Sequence, residues 1–303
     1  MNLKINLPAL LMTFGLSFFP LLLVVGPLIA ETYLVIIIIL SLFYIIKEKK
    51  YFFFNNKFFF YFSLFYLSTL FSTLYNFYSL DASLSGIFFL RIPLFAIAVW
   101  YILETFNIFN QKNLYLFTIF LLIIIIDALI QYYTGKNILG YEISKNRISS
   151  FFGNELILGG FIIRVIPIFL VFLLMNNNVR EDDLNLSYST IISLLCSIVY
   201  LSGERTSFFL LILFFFVLFY FSNHLRKFVF LILTLTLIFS LIFPKFQLND
   251  ELNPSKRMFT KTFNQIIGDG KNTEDHKRKI FDKIYIFSHD HQGHYLLAYK
   301  IFK

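Results

Sequence analysis

Cysteine and charge are both scarce in this chain. The single cysteine, Cys196, stands in an apolar run, so no intrachain disulfide can form and nothing about redox compartment follows from it. Only 15% of the 303 residues are charged, against 58% hydrophobic, and the mean hydropathy is +0.72. A soluble domain has no place to hide that much apolar surface, whereas a bilayer accommodates it. The sequence has no glycine-rich phosphate loop of the Walker type and no repeat of fixed period. No small-x-small cleavage site follows the short N-terminus with its Lys4, which therefore reads as the start of a first membrane helix rather than a removed signal.

What the chain has in excess is Phe, at 43 residues. With abundant Ile, Asn and Lys this reflects AT-rich codon usage, since Phe substitutes freely for Leu on a lipid-facing surface. The formal net charge of +8 would suit nucleic acid if the cations formed one stripe, but they are spread over loops and a tail. Anionic lipid or a phosphate-bearing substrate fits this distribution, and nucleic acid does not.

Apolar runs near the length of a bilayer crossing fall at about 7–25, 28–46, 58–76, 85–103, 113–133, 156–175, 187–201, 207–222 and 227–243. The expected fold is all-α: a polytopic integral membrane helix bundle of about nine transmembrane helices over 1–243, then an extracytoplasmic segment of mixed loop and short helix over 244–303. Gly26-Pro27 separates the first two runs as either a tight hairpin or a kink. Lys4, the group Lys47, Lys49, Lys50 and Lys57, and the group His224, Arg226 and Lys227 fall on one side if there are nine crossings. By the positive-inside rule that side is cytoplasmic. The acidic loop with Arg180, Glu181, Asp182 and Asp183 carries no weight in that rule. The loop at Asp81, the long loop 134–155, the turn Leu201-Ser202-Gly203-Glu204-Arg205-Thr206-Ser207 and the tail then face the other way.

Cations on that far side need a reason, and a bound anion supplies one. Lys145, Asn146 and Arg147 stand in the long loop, and Arg205 in the tight turn. Arg91, Asp127 and Arg164 interrupt apolar spans at roughly 9–12 Å below the outer surface, counting about 1.5 Å per residue. Each costs several kcal/mol facing lipid, so each is expected to face the bundle interior or water. Either Asp127 pairs with Arg91 or Arg164 as internal glue, or the three line a polar cavity that opens outward with Arg147 and Arg205 at its rim. Surplus guanidinium groups suit phosphate, because their planar fork donates bidentate, charge-assisted hydrogen bonds. Asn154 or Glu155 is placed to cap the helix after Gly153, whose N-terminus beside Arg147 is a further place for an anion. Glu155 tempers the charge, or instead orients an arginine or a sugar hydroxyl; Glu204 is counted with the substrate-binding residues, though Arg205 beside it could equally snorkel to the interface. His289, His291 and His294 match no standard zinc spacing, so no metal is expected. His291 and His294 share a helical face that suits docking on the membrane domain. No helix terminator follows Tyr295 before Ile301-Phe302-Lys303, which reads as a truncated frame or a partial record.

Several of these pieces stand together in a recognisable order: Asp127-Ala128-Leu129-Ile130-Gln131-Tyr132 with Gly135, then Arg147, Phe152-Gly153-Asn154-Glu155 and Gly159-Gly160. Leu201-Ser202-Gly203-Glu204-Arg205-Thr206 follows, and then His291, His294-Tyr295 and Ala298 to Phe302. Over about residues 85–303 the chain resembles the O-antigen ligase and O-antigen polymerase superfamily of bacterial membrane glycosyltransferases. The Gly-Glu-Arg-Thr turn between two spans is its most specific piece. The resemblance implies a multi-span protein of the inner membrane that needs no cofactor. It would transfer a polyprenyl-diphosphate-linked glycan to a glycan or lipid A-core acceptor at the periplasmic face. The arginines matching Arg147 and Arg205 would engage the diphosphate and neutralise charge on the leaving group. The family's general base is a histidine of a later loop, which would follow Lys303, so that role is not assigned to His291 or His294. Two other classes fit the sequence less well. A metal-dependent lipid-linked-sugar transferase wants acidic residues in a long first outer loop, where this chain has only Gly26-Pro27. A flippase or transporter of lipid-linked sugar wants charges at several depths and helices broken near the midplane, whereas these charges keep to the outer half.

Overall fold

The computed structural model describes residues 7–75, 86–144, 146–176, 184–247 and 254. The loop at Asp81, Lys145, the acidic loop around Glu181 and the tail carrying His289, His291 and His294 lie outside the described residues. The described chain is helical, with two isolated β-bridges and no strand among the described residues. In order it forms α1 (Leu7–Ser17), α2 (Phe19–Val25), α3 (Pro27–Lys47), α4 (Lys57–Tyr75) and α5 (Arg91–Thr105). There follow α6 (Gln111–Thr134), α7 (Leu158–Met175), α8 (Ser189–Ser202), α9 (Arg205–Phe221) and α10 (Arg226–Ile242).

Helix occupies each of the nine apolar runs, but the runs are not equal as spans. Five helices are long and apolar enough to cross a membrane: Pro27–Lys47, Gly86–Thr105, Gln111–Thr134, Leu158–Met175 and Arg226–Phe246. A sixth candidate is the pair α1 and α2, bent by 73° at Phe18. Helices Leu186–Ser202 and Arg205–Phe221 are apolar but shorter, and α4, though 19 residues long, is diluted by Tyr, Ser and Thr. Outward-facing Leu, Ile and Phe side chains remain exposed along most of these helices, though hardly along Leu186–Ser202, the pattern of a surface whose solvent is hydrocarbon.

The chain divides into two compact units, the first of residues 1–120 and 171–178 and the second of residues 121–170 and 179–303. In the first unit α3 packs against α1, α2 and α5. Gly15 makes this possible: a Cβ there would sit 2.1 Å from the Tyr33 ring, whose hydroxyl donates to the Leu11 carbonyl at 3.0 Å. Pro27 opens α3 at a position where its missing N–H is no loss. Because α3 contacts both α1 and α2, Gly26-Pro27 acts as a turn rather than a kink in one long helix. Lys49, in the left-handed region at φ 55°, ends the segment after α3 and turns the chain into Tyr51–Phe53. There Glu48 pairs with Lys50 at 2.8 Å and accepts from the Tyr101 hydroxyl at 3.3 Å. Lys50 holds the exposed Glu48 carboxyl below the usual carboxylate range.

In the second unit α8 is its most buried helix, packed against α10 and flanked by α9. Its serines explain how a polar sequence tolerates that burial. Ser193 and Ser197 donate back to the carbonyls four residues earlier, at 2.6 and 2.8 Å. The start of the tail is tied to the end of α6: the Tyr133 hydroxyl donates to the Phe243 carbonyl at 3.2 Å, and the Gln247 amide donates to the Tyr132 carbonyl.

Candidate functional site

The turn between α8 and α9 is built by three residues with different tasks. Ser202 closes α8, Gly203 takes the left-handed conformation at φ 68° that ends a helix, and Glu204 is the extended residue from which α9 starts at Arg205. This short reversal throws the Glu204 side chain back across the unit toward α7. Its carboxylate accepts the Gly159 N–H at 3.0 Å and the Gly160 N–H at 2.8 Å. It also accepts the Ser207 hydroxyl at 2.8 Å and forms an ion pair with Arg147 at 3.4 Å. All four partners donate, which is the set an ionised carboxylate takes.

This corrects an expectation from the sequence. Asn154 and Glu155 do not cap α7; both are exposed, and the helix begins three residues later at Leu158. The Phe161 N–H donates to the Ile157 carbonyl, so Gly159 and Gly160 are the second and third helical residues, whose amides have no partner inside the helix. A glutamate about forty-five positions further along supplies the cap. Glycine at 159 is what lets it approach: a Cβ there would stand 2.7 Å from Ser202 Oγ and 3.1 Å from the Glu204 carboxyl.

Three arginines gather at this point. Arg147 donates from Nε to the Ser202 carbonyl at 3.2 Å while its other end meets Glu204. Burial lowers the pKa of Arg147, the Glu204 charge opposes that shift, and the neighbouring Arg205 adds to it. Arg205, half-buried as the first residue of α9, is therefore close enough for its charge to bear on Arg147. Arg164, exposed on α7, donates from Nη1 to the Gly160 carbonyl at 2.6 Å. Its guanidinium and the Glu204 carboxylate both lie within 3.5 Å of the point where a Gly160 Cβ would sit. Arg147, Arg164, Arg205 and Glu204 thus share one corner of the second unit, with more cation than anion among the four.

No known family model, curated protein or solved structure matches the chain.

Asp127 belongs to a different arrangement. It is fully buried in α6, yet pairs with neither Arg91 nor Arg164, as the sequence had allowed. Instead it accepts the Ser150 hydroxyl, the Ile138 N–H at 2.8 Å and the Asn137 amide at 3.4 Å. Gln131, one turn along on the same face of α6, accepts the Ser149 N–H at 2.8 Å and the Ser150 N–H at 2.7 Å, and donates to the Tyr141 carbonyl at 3.2 Å. These two side chains draw the loop 135–153 back along the last two turns of the helix, a fold that leaves Arg147 at Glu204. Ser150 has φ 52°, a left-handed conformation costing about 1–3 kcal/mol for a non-glycine residue, and three hydrogen bonds to Asp127 and Gln131 and from Asn137 at this residue compensate it. The sequence signal for Gln131 was its spacing of four from Asp127, which places both on one helical face.

Arg91 belongs to the first unit. There it opens α5 and pairs with Glu31 of α3 at 2.9 Å, both side chains 46% exposed. That acidic partner was not foreseen. Among the described residues no group of His, Cys, Asp and Glu is arranged to hold a metal ion.

Proposed function

We propose that the chain is an O-antigen ligase-like or polymerase-like glycosyltransferase. In this reading it sits in the bacterial inner membrane with its nine helical runs crossing. It takes a polyprenyl-diphosphate-linked glycan as donor at the periplasmic face and passes the glycan to a glycan or lipid A-core acceptor. The observation that carries the reading is the meeting of Arg147, Arg164 and Arg205 at the buried start of α7 with a single carboxylate among them. Guanidinium groups stabilise a diphosphate and the charge that grows on it as it leaves. In the transfer the acceptor hydroxyl oxygen bonds to the anomeric carbon and the bond from that carbon to the diphosphate oxygen breaks. The electron pair stays on the diphosphate and the hydroxyl proton goes to a base.

The test is Arg205→Ala, assayed in membranes for transfer from a lipid-linked glycan. Loss of one such contact to developing charge lowers the rate about 100-fold or more. Membrane insertion is expected to stay at the wild-type level. Undiminished transfer by the variant would sink the phosphate role.

A further inference from the structure

Resting on that reading, we infer that Glu204 is a positioning residue that also lowers the positive charge of the site, so that the diphosphate monoester left by transfer is held less tightly, relative to the diphosphate diester of the donor, than the three arginines alone would hold it. The positioning half follows from geometry. One carboxylate holds three elements: the loop through Arg147, the start of α7 through Gly159 and Gly160, and the start of α9 through Ser207. Both of its oxygens are committed to donors of the protein, so it does not meet substrate itself. It acts through Arg147, whose Nη2 it fixes.

The charge half follows from what surrounds that carboxylate. Arg147, Arg164 and Arg205 bring three positive charges and Glu204 removes one. Glu155, on the loop ahead of α7, is exposed and screened by solvent. Donor and product differ in charge. A diphosphate diester carries two negative charges at any pH near neutrality. The monoester gains a third as its terminal phosphate loses its last proton at a pH of about 6. An added guanidinium charge favours the more highly charged ligand, in this case the product. Cancelling it weakens the hold on product relative to donor, which lets turnover proceed.

The experiment uses the protein in nanodiscs. It measures binding of a polyprenyl diphosphate (the monoester) and of a polyprenyl-diphosphate-linked monosaccharide (the diester) between pH 5.5 and 8. In the wild type the monoester should gain affinity relative to the diester only modestly as pH rises through about 6, because only the monoester gains charge and Glu204 leaves the site with less net positive charge. Glu204→Gln should steepen this trend, raising monoester affinity relative to diester about tenfold at pH 8. Glu204→Asp keeps the charge and should keep the wild-type pH trend even where binding of both ligands weakens. Arg164→Gln, on an exposed side chain, moves the charge the other way and should penalise the monoester about tenfold more than the diester at pH 8. It also serves if Glu204→Gln is not recovered in membranes. If ratio and pH trend are unmoved by every recovered variant while the wild type binds both lipids, the inference about Glu204 is overturned. If the wild type binds neither lipid, it is the glycosyltransferase reading that fails.

Discussion

Gly159 and Gly160 are adjacent, alike in type, and unlike in consequence. At Gly159 a methyl group would meet Ser202 Oγ at 2.7 Å and the Glu204 carboxyl at 3.1 Å, atoms held by the turn between α8 and α9. At Gly160 the nearest atom is Arg164 Nη1 at 3.2 Å, the far end of a flexible side chain on an exposed position. Gly159→Ala should therefore push α8 and α7 apart and cost about 1–3 kcal/mol, as overpacking does. Gly160→Ala should be close to neutral. Thermal unfolding of the detergent-solubilised protein distinguishes them, and equal midpoints for the two variants would contradict the close approach. This contrast was not legible in the sequence, where both glycines stood only as part of a resemblance. Arg147, Glu204 and Arg205 did stand out, because cations on the side that should lack them ask for an anion. What no pattern disclosed is that Glu204 is that anion's nearest resident equivalent, reaching across to amides that Asn154 or Glu155 seemed better placed to cap.

Hydropathy finds helices because the bilayer demands them, and so α3, α6, α7 and α10 were readable within a few residues. Loops that fold back on a helix leave no such trace, since their polar residues look the same whether solvated or buried. The loop after α6 is the case in point. Asn137, Ser149 and Ser150 read as ordinary loop residues, yet each is buried, and their partners are Asp127 and Gln131. Asp127 was legible as a buried charge needing partners; the partners were misjudged because an arginine is the obvious one and a loop amide is not. Replacing Asp127 by Ala leaves the Ser150 hydroxyl, the Asn137 amide and the Ile138 N–H without their acceptor, at about 1–3 kcal/mol for each buried group left unmet. The loop should then open without unfolding the helices. Hydrogen exchange reads this directly: amides across 135–153 should exchange at least about tenfold faster, while those of α9 keep their protection. Equal protection of the loop in both proteins would mean that Gln131 holds it alone.

Across the whole molecule the question is which face carries the arginine cluster. The ion pair of Arg147 with Glu204 requires the loop 135–153 and the α8–α9 turn to lie on one face, with α7 and α8 between them in sequence. Two crossings satisfy that requirement, but α8 and α9 make a crossing narrow. Leu186–Ser202 and Arg205–Phe221 have 17 residues each. At about 1.5 Å per residue they span roughly 25 Å, the short end of what a bilayer accepts. In the proposed reading such helices would leave Glu204 and Arg205 at the very edge of the hydrocarbon, at the level of the lipid diphosphate headgroup. The proposed orientation rests on Lys47, Lys49 and Lys50 after α3 and on Arg226 and Lys227 at the start of α10, which the positive-inside rule assigns to the cytoplasm if there are nine crossings. Reporter fusions after Phe152 and after Ser202 should accordingly both report the outer face. Opposite signals at the two sites would contradict the ion pair. A cytoplasmic signal at both would leave the pair intact and turn the molecule over, placing the arginines on the side where the positive-inside rule expects them and removing the reason to seek an anion there.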